Sequence, residues 1–165
     1  MSGAWPEDDV APAIASTGRA MTAAIMSRLI AQGFDQLTPA ITSIITLIGA
    51  EGIRPSALAQ RANVTKQATS QLLRLLTERG FVEQVTDPVD TRAKLIRVTQ
   101  LGASLKTACL EARSELRDVA VRELGGKNAE RLRADLERLC AAFQDRATAQ
   151  PTPHPKGSPR KGKYK

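Results

Sequence analysis

The chain has 165 residues, 42% apolar and 25% charged, which suits one compact soluble domain, or a domain with an appendage, with a real core. Lys and Arg number 24 against 17 Asp and Glu, and the net charge of +7 favours polyanionic partners such as nucleic acid or an anionic membrane surface. A sole histidine, His154, and two distant cysteines, Cys109 and Cys140, cannot assemble a Cys/His zinc site or a His-dependent triad, so no cofactor and no enzymatic activity are expected.

Residues 1–11 carry only Glu7, Asp8 and Asp9 as charges and are expected to be disordered. A helix is predicted over residues 12–32, with Ile14, Gly18, Met21, Ile25 and Leu29 three or four apart and only Arg19 and Arg28 charged. So little of its surface reads as solvated that it calls for partners on several sides. Thr38 followed by Pro39 signals an N-cap and a first-turn proline, opening a second helix with Ile41, Ile44, Ile45 and Ile48 that closes near residues 49–52. A short third helix starts at Pro55, turns Leu58, Ala59 and Ala62 inward and stops at Asn63. Arg54 holds its cap position and cannot accept from the orphan amides there, so a weakly capped start is expected.

Thr65 caps a fourth helix that runs to about Arg79 and ends at Gly80. With Leu72 as the inward direction, Ala68, Leu75, Leu76 and the stem of Arg79 share its face. Lys66, Gln67, Ser70, Arg74 and Thr77 lie opposite, a face with two positive charges, no acid, and donors and acceptors of the kinds that read base edges and phosphates. A β-hairpin follows, with strands at 81–86 and 94–98 around the turn Asp87-Pro88-Val89-Asp90-Thr91. Arg92 stands two residues after Asp90, close enough for the carboxylate to orient the guanidinium, and an oriented arginine on a projecting ribbon can enter a narrow, negative minor groove.

Residues 54–98 hold eight bases against four acids, the main concentration of positive charge outside the tail. A fifth helix from residue 99 or 100 to 124 places Leu101, Leu105, Ala108, Ala112, Leu116 and Val119 on one stripe. Gly125 and Gly126 break it, and a sixth helix over 128–148 aligns Leu132, Leu136, Leu139 and Phe143. Both cysteines fall on these apolar stripes and are expected to be buried and structural. Residues 149–165 combine four prolines and two glycines with five bases and no acid, a disordered basic tail by composition. The five aromatic residues are too few, and Trp5 and Tyr164 too near the ends, to form a platform for single-stranded bases. No apolar run approaches the roughly 20 residues that span a bilayer, so no membrane partner and a cytoplasmic location are expected.

These features resemble the MarR family of bacterial winged-helix transcription regulators. The resemblance is carried by LTP at 37–39, SALAQRANVTKQATSQLLRLLTERGFV at 56–82, the wing DPVDTRAKLIRVT at 87–99 and GASL at 102–105. It implies a mainly α fold with a β-hairpin wing, in which residues 54–98 form a winged helix-turn-helix and residues 12–36 and 99–148 supply helices that pair two subunits. It also implies that helix four enters the major groove of double-stranded DNA while Arg92 enters the minor groove, positioned by Asp90. The candidate DNA-binding residues are Thr65, Lys66, Gln67, Thr69, Ser70, Arg74, Asp90, Arg92 and Lys94. Gln84, Gln71 and Arg54 depart from the family pattern, the first two by removing positive charge near that face.

The reading is therefore a homodimeric, sequence-specific regulator, a repressor by family habit. The alternative is a winged-helix protein-interaction module without DNA binding, against which Lys66, Arg74, Asp90 and Arg92 argue. Family resemblance further implies a small-molecule effector, phenolic or anionic, bound between the pairing helices and the winged helix. The redox variant of that control usually carries a cysteine near the first helix, and this chain has none there.

Overall fold

A computed structural model of the chain describes residues 9–148. Six helices and one hairpin follow in order: α1 Val10–Ala31, α2 Pro39–Ile45, α3 Pro55–Ala62, α4 Lys66–Glu78, β1 Val82–Thr86, β2 Lys94–Val98, α5 Gln100–Leu124 and α6 Gly126–Thr148. They divide into two compact units, one running to Val119 and the other beginning at Ala120. The expected mainly α architecture with a two-stranded wing is the one observed. The predicted basic tail at 149–165 lies outside the described residues, as do residues 1–8 of the predicted N-terminal disordered segment.

The start of α1 corrects the N-terminal expectation. Asp9 has extended backbone and its carboxylate accepts from the Ala11 N–H at 2.9 Å, so residues 9–11 are ordered as a cap and first turn. Leu29 is the only buried residue of α1, and Val10, Ile14 and Met21 are exposed in the single chain. Thr38 caps α2 as predicted, accepting from the Ile41 N–H at 3.3 Å. The helix ends at Ile45, sooner than expected, and the chain tightens into turns in which the Leu47 N–H donates to Ile44 O at 3.0 Å and the Ile48 N–H to Ile45 O at 3.3 Å. Lys106 Nζ donates to the Ile48 carbonyl, and Arg113 donates to Thr46 Oγ1 at 3.0 Å. Ile48 still reaches the core from the turn.

In the first unit, Leu29, Ile41, Ile45, Ile48, Leu58, Leu76, Ile96, Leu105 and Cys109 are wholly or almost wholly buried around one centre. Burying an aliphatic side chain of this size contributes about 1.5 to 3 kcal/mol, so this cluster rather than helix propensity holds the short α2 and α3 in place. The inward face of α5 is Gly102, Leu105, Ala108, Cys109 and Ala112. Leu101, expected on that face, is 49% exposed. The helix is turned by a contact at its start: a Cβ on Gly102 would sit 1.8 Å from the Phe81 carbonyl oxygen, an approach that glycine alone permits. Thr99 locks the same junction, its N–H donating to Phe81 O at 3.1 Å and its hydroxyl to Gly80 O at 2.6 Å.

α6, in the second unit, has no buried residue among those described. Leu132, Leu136, Leu139 and Phe143 form its exposed apolar stripe. Cys140 is exposed as well, which corrects the expectation that both cysteines are buried, while Cys109 is fully buried. An amphipathic helix assigns a residue to a stripe, but a stripe is interior only where another element covers it.

Candidate functional site

α3 and α4 are joined by a tight connection that the sequence makes legible. Asn63 ends α3 in the left-handed conformation, with φ 52° and ψ 46°, and Thr65 caps α4 by accepting from the Ala68 N–H at 3.1 Å. The first turn of α4 therefore points its free amides, Lys66 and Gln67 outward, beside the hairpin.

β1 and β2 pair antiparallel, with Val82 opposite Val98 and Thr86 opposite Lys94. Ile53 adds a short third rung: its N–H donates to Ile96 O at 3.0 Å and its carbonyl accepts from the Ile96 N–H at 2.9 Å. This rung ties the wing to the segment that leads into α3. Gly52 makes it possible, since φ is +85° and a Cβ there would lie 2.9 Å from Ile96 O.

Lys66, Gln67, Ser70 and Arg74 are exposed on one side of α4, and Arg92 and Lys94 are exposed on the wing. Arg74 stands 3.6 Å from Glu78 one turn on and keeps 74% of its side chain in solvent. Ser70 donates its hydroxyl back to Lys66 O at 2.9 Å, and Lys94 Nζ donates to Oγ1 of its cross-strand partner Thr86 at 3.0 Å, which directs the lysine across the hairpin. An open groove lies between these elements, lined by Arg54, Ser56, Lys66, Thr69, Ser70 and Lys94. Three of those six side chains are cationic and none is acidic.

Three expectations need correction. Thr69 borders the groove but is 1% exposed, and its hydroxyl donates to the Thr65 carbonyl at 3.0 Å, so its main role is to pack the helix against the core. The inward direction of α4 centres on Thr69, Leu73 and Leu76 rather than on Leu72, a rotation imposed by the core. Asp90 does not grip the Arg92 guanidinium. Its Oδ1 accepts from the Arg92 backbone N–H at 3.2 Å, while its Oδ2 faces Arg54 at 3.7 Å.

Arg54 and Asp87 are the pair that sequence reasoning missed. Arg54 Nε donates to Asp87 Oδ2 at 2.8 Å, and its terminal nitrogen lies 2.6 Å from the same oxygen. The other oxygen, Oδ1, accepts from the Val89 N–H at 2.9 Å and the Asp90 N–H at 3.4 Å. The Val89 amide first, and the Arg54 guanidinium second, hold the Asp87 carboxyl below the usual carboxylate range. The one available signal was Arg54 itself, a basic residue at a cap position where it has no capping bond to make.

Comparison with known proteins agrees with this geometry. The MarR family model matches residues 35–93, from the segment before α2 to the wing. An HTH-type transcriptional regulator of Mycobacterium leprae is 35% identical over 75 residues, which cover 46% of this chain; the chain spans about half the length of the relatives it matches in sequence, 52% in this case. Among solved structures, the S. aureus MepR–DNA complex covers 82% of this chain and 99% of its own at 20% identity, with a TM-score of 0.69. CouR from Rhodococcus jostii RHA1, bound to p-coumaroyl-CoA, covers 80% of this chain and 92% of its own at 25% identity, with a TM-score of 0.62. The sequence match falls on the helix pair and wing described above, so that residues 35–93 are similar to the MarR family, and the fold match extends over the flanking helices.

Proposed function

We propose that this protein is a dimeric regulator that binds double-stranded DNA in a sequence-specific manner and represses transcription from the sites it occupies. The observation that carries the reading is the shared exposure of Lys66, Gln67, Ser70 and Arg74 on α4 with Arg92 and Lys94 on the wing. A helix with polar and cationic outward residues fits the major groove, and a cationic hairpin beside it fits the adjoining backbone and minor groove. Two of the four acids in residues 54–98, Asp87 and Asp90, face Arg54, which reduces the negative field beside the groove.

Dimerisation is supported by apolar surface that one chain leaves in water. Val10, Ile14 and Met21 on α1 and, separately, Leu132, Leu136, Leu139 and Phe143 on α6 are between 38% and 63% exposed. A twofold dimer presents two recognition helices to half-sites about one helical turn apart, roughly 34 to 36 Å. Release by an effector is part of the same proposal. An open groove between the end of α1 and α5 is lined by Gln32, Phe34, Gln100, Ser104, Thr107 and Glu111. Its single charged residue is acidic, so it suits a neutral, hydrogen-bonding aromatic molecule better than an anion.

A salt series of binding to a duplex recovered by selection from a randomised pool tests the reading. Neutralisation of several phosphates gives a steep linear fall of log affinity with log salt, and Arg92→Ala costs about 1 to 3 kcal/mol, roughly 5- to 150-fold. A flat salt response, or no duplex recovered, overturns the reading in favour of a protein-interaction module.

A further inference from the structure

Arg54 stands where the wing, α3 and the groove beside α4 meet. Its backbone follows Ile53, which is paired on both sides to Ile96, and it occupies the N-cap position of α3 with extended φ −68° and ψ 139°. Without a capping bond to make, its side chain crosses to the wing turn and holds Asp87 Oδ2 through two nitrogens, with Asp90 Oδ2 3.7 Å from one of them. Asp87 is the anchored end of this link, its side chain 7% exposed, and its second oxygen binds two backbone amides of the turn. Asp90 passes the link onward by accepting from the Arg92 N–H.

We propose that Arg54 is a positioning residue for the wing: by clamping Asp87 and Asp90 from the start of α3, it sets the direction in which Arg92 projects relative to α4. The inference rests on the DNA-binding reading and deepens it. A two-stranded hairpin is marginal by itself and pivots easily about its base. Here the base is held by the Ile53–Ile96 rung, and the Arg54 clamp supplies a second point of attachment nearer the tip. Two points fix an angle where one does not. The planar guanidinium suits this task because it can bond one carboxylate through two nitrogens while facing another, whereas a lysine offers a single point charge. The clamp joins residues 33 positions apart, so it couples wing direction to the helix pair rather than to the hairpin alone.

A double-mutant cycle tests the assignment, using full-length protein and the duplex recovered by selection from a randomised pool. Arg54→Ala is expected to weaken binding by roughly 3- to 100-fold when Arg92 is present, within the range for residues coupled in one network, and to have little effect in an Arg92→Ala background. Hydroxyl-radical footprints of Arg54→Ala should lose protection in the flanking minor groove and keep it over the central major groove. Arg54→Lys should restore only part of the loss, and it replaces Arg54→Ala in the cycle should circular dichroism show that the alanine variant fails to fold. Additive losses and an evenly faded footprint would mean that Arg54 contacts a phosphate directly or only supports the fold, and would overturn the proposal. Absence of salt-dependent duplex binding by the wild-type protein is a different result and overturns the DNA-binding reading itself.

Discussion

Gly102→Ala should destabilise the protein although alanine is the better helix former. The new Cβ would meet the Phe81 carbonyl oxygen at 1.8 Å and the Phe81 carbonyl carbon at 2.8 Å, and both are backbone atoms that cannot rotate aside. To clear them, the start of α5 must retreat by more than about an ångström, since Cβ contacts under 3.0 Å essentially do not occur. That retreat strains the Thr99 bonds to Phe81 O at 3.1 Å and Gly80 O at 2.6 Å. Overpacking costs about 1 to 3 kcal/mol and each weakened hydrogen bond up to about 1 kcal/mol, against a helix-propensity gain of about 1 kcal/mol. With the two bonds together at about 1 kcal/mol, the net loss is about 1 to 3 kcal/mol, a fall in Tm of roughly 3 to 9 °C for a chain of this size. Thermal unfolding followed by circular dichroism, at matched protein concentration because any self-association would shift Tm, reads this directly. An unchanged or raised Tm would show that α5 does not abut Phe81 in this register.

Thiol reactivity should separate the cysteines: exposed Cys140 reacts promptly with a disulfide reagent in the native protein, while Cys109, whose thiol burial pushes up in pKa, reacts only on unfolding. Two equally fast thiols would contradict the buried position. The depressed Asp87 pKa means that its contribution to stability is present above the unfolded carboxylate value of about 3.9 and is lost as pH falls through the lower folded value. Asp87→Asn should therefore flatten the acid limb of the stability–pH curve, and an unaltered limb would remove Asp87 from it. Leu136→Glu on the exposed stripe of α6 should shift sedimentation toward the monomer while leaving helical content near that of the wild type; an undisturbed dimer would place the interface elsewhere.

Much of the fold was legible because its punctuation is local. Thr38 with Pro39, Asn63, Thr65 and Gly80 act through hydrogen bonds or backbone conformations within a few residues, so their effects can be read from spacing. The outward side of α4 was equally legible, since helical periodicity places Lys66, Gln67, Ser70 and Arg74 together. Periodicity was not enough at Thr69, where the neighbouring core turned the helix and buried the hydroxyl against Thr65.

By itself, then, the sequence determined the order of elements, the concentration of positive charge over residues 54–98 and the apolar stripe of α6. Tertiary structure alone decided which stripe residues were covered, that Lys106 and Arg113 of α5 reach the turn after α2, and that Arg54 reaches Asp87 across 33 positions. The physical reason is range. Caps, turns and helical faces depend on near neighbours in the chain, whereas a buried face or an ion pair between distant residues depends on what folding brings beside it.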